Sequence, residues 1–154
     1  MTAVSDTQRS PRWPRKGYFH FEEIEYELPD SEELIRWIES TIDAEQKKLH
    51  SLNFIFCKDK YLHQINVTYL DHDTLTDVIT FPYSNNDSTI EGDIYISLER
   101  IIENAKKFKV TTLYELKRVM IHGVLHLCGY GDKSDEEAKE MRSKENFYLA
   151  IHPI

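Results

Sequence analysis

The chain has 154 residues, 40% of them hydrophobic and 12% aromatic, enough apolar material for one compact domain with a sizeable core. A formal net charge of -8 argues against a protein that simply coats nucleic acid, though not against an enzyme that meets RNA through a local basic patch. No apolar run is long enough to span a membrane and no signal-peptide core stands near the N-terminus, so neither a membrane protein nor a secreted one is expected.

Residues 1–16 are polar, carry Pro11 and Pro14, and read as a poorly ordered lead-in to a single domain over 17–154. Ile24, Tyr26 and Leu28 alternate with glutamates, which predicts a half-buried strand stopped by Pro29. Asp30 with Glu33 predicts an N-cap and its box partner, and Leu34, Ile35, Ile38 and Ile42 the buried stripe of a first helix. Leu52–Cys57 is rich in β-formers and predicts a second strand. Asp59 is placed to cap a short helix carrying Leu62, Ile65 and Tyr69. A turn from Asp73 feeds a strand at Val78–Phe81, and the polar loop Ser84–Ser88 separates it from another around Asp93–Ile96.

Ser97 is expected to cap a helix reaching about Lys107. Thr112 with Glu115 predicts a capping box for the next helix, whose apolar stripe is Leu113, Leu116, Met120, Val124 and Leu127. Ser134 with Glu137 opens the last helix. Strands and helices interleave, so the class is α/β (or α+β), a small mixed, mostly parallel sheet of about four strands packed with about five helices. Cys57 and Cys128 lie in apolar segments without a C-x-x-C pattern and read as buried, reduced thiols of a cytoplasmic protein.

Residues 122–132, His-Gly-Val-Leu-His-Leu-Cys-Gly-Tyr-Gly-Asp, carry the most chemistry. On a helix His122 and His126 project from one face about a turn apart. A bare pair at this spacing is more often a coincidence of one helix face. Here Gly129 follows as a natural helix stop, and Asp132 can return toward the same point. Two imidazoles and a carboxylate are the ligand set of a catalytic metal site, zinc first, one ion per chain. Cys128, two residues after His126, points to another side of the helix and reads as core rather than ligand.

A metal held by three protein groups keeps a position at which water is acidified to a pKa of about 7, so hydrolysis of a peptide or a phosphodiester is the default reaction. The spacing H-x-x-x-H-x-x-G-x-x-D resembles the metzincin proteases, but those need a glutamate directly after the first histidine as general base. That position is Gly123, which disfavours a zinc peptidase.

The same residues resemble the YbeY metal-dependent endoribonucleases of ribosomal RNA maturation, whose hallmark is His-Gly-x-Leu-His-Leu-x-Gly-Tyr-Asp-His. His122–Tyr130 matches it without a gap. Asp73–Pro82 is similar to the family's Asp-x-Pro-Thr-Asp-Val-Leu-Ser-Phe-Pro segment, with Thr76, Asp77, Val78, Phe81 and Pro82 in register. Gly92-Asp93-Ile94 and the acidic helix with Glu136, Glu137 and Met141 fit as well, so the likeness spans residues 24–149. Two positions depart from the family pattern. Asp132 stands where the third ligand is usually His, with Gly131 at the family's Asp, and Leu70 stands where an Arg usually follows the Tyr.

The resemblance implies a zinc-dependent, single-strand-specific endoribonuclease acting in ribosomal RNA processing, with His122, His126 and Asp132 holding the metal. It implies ribosomal RNA and the small ribosomal subunit or its associated proteins as partners. Arg118, one turn before His122, is the candidate to replace the missing Arg in catalysis, against an ion pair with Glu115 three residues earlier. His72, beside the departed position, is the runner-up. Asp77 and Asp93 are read as structural, at a turn and a strand start, rather than as groups orienting a ligand histidine. Basic patches at Arg9, Arg12, Arg15 and Lys16, and at Lys106, Lys107 and Lys109, are candidate RNA contacts, the first group reading as solvated surface. A non-catalytic ribosome-assembly factor with a structural metal is the remaining alternative, and it would call for a fourth ligand.

Overall fold

A computed structural model of the chain describes residues 16–70 and 76–152. Among the described residues, four strands form one sheet: β1 (Gly17–Phe21), β2 (Lys48–Cys57), β3 (Val78–Pro82) and β4 (Thr89–Ser97). Their order is β1-β2-β4-β3, with β1, β2 and β4 parallel and β3 antiparallel to β4. Five helices among the same residues, α1 (Ser31–Ala44), α2 (Asp59–Leu70), α3 (Leu98–Phe108), α4 (Thr112–Leu127) and α5 (Asp135–Ala150), complete an α/β domain of the expected class. None of the helices among the described residues is long and apolar enough to cross a membrane.

The period-two pleat splits the sheet into two faces. Phe54 pairs with Ile94 and Phe56 with Ile96 in register, and these join Leu34, Ile38, Leu116 and Val124 in the main core. A smaller cluster of Cys57, Leu62, Ile65 and Ile79 holds α2 on the sheet. Helix α4 lies close on β4 because position 123 has no side chain: a Cβ there would meet Ile94 Cγ2 at 2.9 Å. The helix is also packed by α3 and α5. Its buried surface therefore exceeds a single stripe: Val119, Ile121 and Leu125 join the core, while Leu113 and Leu127 are only half-buried.

Several expectations fail for physical reasons. Residues 24–28 form no strand; Ile24, Tyr26 and Leu28 pack singly against the core, and the strand is the preceding aromatic run Gly17–Phe21. Alternation reports one-sided burial, not hydrogen-bonded pairing. Asp30 does not cap α1 with its side chain; it sits in the left-handed region (φ 52°), a conformation Asp tolerates. The cap of α4 is Thr111, whose hydroxyl accepts from Tyr114 N, because Glu115 is drawn into an ion pair instead. Asp59 does not cap α2; its carboxylate accepts from Ser97 Oγ and Arg100. Tyr69 is 71% exposed rather than core. Ser97 caps α3, and Ser134 with Glu137 forms the full capping box of α5, both as expected. The lead-in expected over 1–16 lies, apart from Lys16, outside the described residues.

Candidate metal centre

Helix α4 delivers His122 and His126 one turn apart and then ends at Gly129, whose φ of 110° is one that L side chains rarely adopt. Tyr130 N donates to Leu125 O and Gly129 N to His126 O, the paired bonds of a Schellman stop. This reverses the chain and brings Asp132 back over the helix. The two Nε2 atoms are 3.0 Å apart, and Asp132 Oδ2 lies 3.3 Å from each.

The other ring nitrogens decide what faces that centre. His126 Nδ1 is 2.8 Å from the carbonyl oxygen of Tyr130, which only accepts, so Nδ1 carries the proton. His122 Nδ1–H donates to Glu145 Oε2 at 2.6 Å. With each Nδ1 committed to a proton, the two Nε2 atoms and a carboxylate oxygen point at one another, and wherever both Nε2 lone pairs are free that arrangement is repulsive unless a cation lies between them. Tetrahedral zinc with bonds near 2.0–2.1 Å would spread its donors to about 3.3–3.4 Å, close to what these residues already present. His122, His126 and Asp132 thus form a group that could hold a metal ion, and the donor chemistry fits one.

The group has no fourth protein member among the described residues. Cys128 belongs to the core, where burial pushes its thiol up to about 11. The three donors stand in the wall of an open recess of about 360 Å³, with Asp132 39% exposed. Leu70, at the position of the family's Arg, lines that recess and puts an apolar side chain beside the donors.

Glu145 is not distinguished by any motif, yet it is the group that fixes His122. It is 2% exposed, and its other oxygen meets Arg118 at 3.3 Å and Arg142 at 3.6 Å. Burial opposes its charge, but the contacts with His122, Arg118 and Arg142 outweigh it and hold the carboxyl below its ordinary range. One sequence signal does exist: Glu145 interrupts the stripe Met141, Tyr148, Leu149 on the buried face of α5.

Arg118 is not a free cation facing the recess. It forms the ion pair with Glu115, through Nε at 3.0 Å and a terminal nitrogen at 2.6 Å, and its remaining nitrogen serves Glu145. Its side chain is 13% exposed, and the hydrogen bonds to Glu115 raise its pKa. Asp77 and Asp93 make no hydrogen bond to a ligand histidine among the described residues. The backbone oxygen of Asp77 accepts from Ser97 N, and the Asp93 carboxylate accepts from Asn53 and Tyr83 across the sheet. His72, Arg9, Arg12 and Arg15 lie outside the described residues. Lys106, Lys107 and Lys109 are exposed at the end of α3 and line no part of the recess.

The turn after α4 is itself anchored. Tyr130 Oη donates to Glu45 Oε1 at 2.6 Å, while Tyr148 Oη and Lys144 Nζ donate to Glu45 Oε2. Glu45, at the end of α1, thereby pins the residue whose carbonyl orients His126.

A family profile described as Endoribonuclease YbeY matches residues 19–152. Curated proteins named Endoribonuclease YbeY from Flavobacterium psychrophilum and Amoebophilus asiaticus are 57% and 48% identical to it, over 86% and 89% of this chain and 94% and 93% of their own. A solution structure of a Thermotoga maritima protein is similar at a TM-score of 0.60 and 31% identity, covering 86% of this chain and 85% of that one. The chain belongs to the endoribonuclease YbeY family and is accordingly a nuclease, a hydrolase.

Proposed function

We propose that this protein is a zinc-dependent, single-strand-specific endoribonuclease of ribosomal RNA processing, working in the cytoplasm on ribosomal RNA with the small ribosomal subunit or its associated proteins. The observation that carries the reading is the convergence of two Nε2 lone pairs and a carboxylate oxygen, 3.0–3.3 Å apart, in an open recess. Zinc bound there by His122, His126 and Asp132 would supply an acidified water and a Lewis acid for phosphodiester hydrolysis. The chain's own residues do the rest. Glu145 and the Tyr130 carbonyl keep each ring turned with Nε2 toward the recess. Asp132 adds negative charge to the donor set and is the member most open to solvent. Three donors rather than four favour an enzyme over a structural metal.

A peptidase would need a carboxylate at position 123, where even a Cβ would collide with Ile94. Arg118 acts in this reading as a positioning residue that holds Glu145 against His122, not as a phosphate ligand.

Purified protein should carry about one zinc per chain by elemental analysis, and Asp132→Ala should lose most of it, ligand loss typically costing more than the 10–100-fold of an outer partner. It should cut single-stranded RNA and spare peptides, with activity lost in His126→Ala or on chelation. Peptidolysis that chelation abolishes would reverse the reading. Leu70→Arg should raise cleavage by about tenfold or more, part of the hundred- to thousandfold one charge-assisted donor supplies. Arg118→Ala should lower cleavage with metal retained. A positioning role predicts that Leu70→Arg does not rescue it, and rescue would make Arg118 a catalytic cation. Ribosomal RNA ends mapped in depleted cells test the cellular role.

A further inference from the structure

On the sheet face covered by α2, opposite the one that receives α4, lies a second recess of about 590 Å³. Its walls are aromatic: Tyr61 and Tyr69 from α2, Phe81 and Tyr83 at the end of β3, and Tyr95 from β4. Tyr69 meets Phe81 edge-on at 6.2 Å and Phe81 meets Tyr95 edge-on at 5.7 Å. Tyr61, Phe81 and Tyr95 also pack on the small core beneath, so their place is explained by folding. Tyr69 and Tyr83 are 71% and 57% exposed and are not needed there.

This recess and the metal recess are back to back. Ile65 and Tyr69 line one; the next residues, Asn66 and Leu70, line the other beside His122, His126 and Asp132. On β3, Phe81 lines the aromatic side and Thr80 the metal side. Adjacent residues, about 3.8 Å apart at Cα, thus serve the two linings, so α2 and β3 form a shared wall. A strand crossing the outer edge of β3 would reach both.

The lining contains rings, hydroxyls and the Gln64 amide, but no lysine or arginine. Asp93 holds the Tyr83 hydroxyl at its rim. Such a surface offers no positive charge to a phosphate and much to a flat, polar-edged ring. We infer that this recess takes an unpaired nucleobase of the RNA substrate, from a nucleotide flanking the bond presented to the metal-site residues. The inference rests on the endoribonuclease reading of that site and says what it selects: a chain whose bases can leave the stack. A paired base has both faces and its hydrogen-bonding edge occupied and cannot enter.

The test is binding of the full chain, with Asp132→Ala so that nothing is cut, to a single-stranded RNA oligomer carrying 2-aminopurine and to a blunt RNA duplex. Stacking should quench the probe. Tyr69→Ala, at an exposed position that spares the fold, should weaken single-strand binding by about five- to a hundredfold. Tyr69→Phe should restore it, and Tyr83→Ala should act in the same direction as Tyr69→Ala. The slope of log affinity against log salt should not change, because no cationic contact to a phosphate is lost. Duplex binding should be untouched. Unchanged single-strand affinity and quenching in Tyr69→Ala would overturn the inference while RNA cleavage by wild type left the endoribonuclease reading standing. Quenching that depends on Tyr69 in a protein that cuts no RNA would do the reverse. Tyrosine quenching by an arginine-rich peptide that RNA does not displace would assign the rings to a protein partner, and would equally overturn it.

Discussion

The two histidines of the candidate metal centre look equivalent in sequence and are held in opposite ways. His122 is fixed by a buried charge network in which Glu145 and Arg118 join α4 to α5. His126 is fixed by a backbone carbonyl, and charge enters only one step further out, where Glu45 pins Tyr130. A charged side chain buried in a network cannot be removed without stranding its partners, whereas a carbonyl cannot be removed at all and is displaced only by loosening its turn. The His122 side should therefore break sharply and the His126 side soften by degrees.

The largest expected effect is Glu145→Ala, which leaves Arg118 with only Glu115 and a more distant Asp77 as carboxylate partners and leaves His122 without an acceptor. Breaking a buried pair from one side costs about 3–5 kcal/mol, read as a fall in the denaturant midpoint. Metal affinity should fall by about 10–100-fold in the same variant. If stability and metal affinity both hold, the network is not what orients His122.

Glu45→Gln should do less. It keeps the shape and weakens three hydrogen bonds, costing about 1–3 kcal/mol, with a smaller loss of metal affinity than Glu145→Ala. Burial disfavours the Glu45 carboxylate, but hydrogen bonds from Tyr130, Tyr148 and Lys144 overcome this and lower its pKa. A lowered carboxylate pKa contributes stability that is complete above the unfolded value and lost as pH falls through the folded one. The gap in urea midpoint between wild type and Glu45→Gln should therefore be full near neutral pH and close in acid, below the ordinary glutamate range. A gap that widens in acid would reverse the assignment.

The smallest effect serves as the control. Ser134→Ala removes one side of the α5 capping box, two residues from Asp132, and should cost about 1 kcal/mol. Metal affinity should stay at the wild-type level. A loss comparable to that in Glu45→Gln would mean that the start of α5, not the Glu45 anchor, sets the turn.

The contrast between the histidines also marks what the sequence could reveal. His122, His126, Gly129 and Asp132 are legible because helix periodicity and a glycine stop are local facts, settled within eleven residues. Ser97 and the Ser134–Glu137 box are legible for the same reason. Glu145 and Glu45 are not, because each acts across a helix packing that no spacing encodes; Glu145 is betrayed only by its place in an apolar stripe. Helix geometry places Arg118 near the ligands, but its partner Glu145 comes from α5, a pairing that no spacing encodes. The strand expected at residues 24–28 fails for a related reason. Burial leaves a pattern in the chain, and the choice of hydrogen-bonding neighbour does not.

The contact between Gly123 and Ile94 has an evolutionary reading. Glycine and glutamate can be joined by a single nucleotide change, ordinarily an easy experiment for a lineage to run. Here the first carbon of any such side chain meets Ile94 at 2.9 Å, so either the Ile94 side chain or the α4–β4 packing must give before a carboxylate can do chemistry. A step toward a peptidase is thus opposed by the close packing of α4 on β4, and a smaller residue at position 94 would ease it.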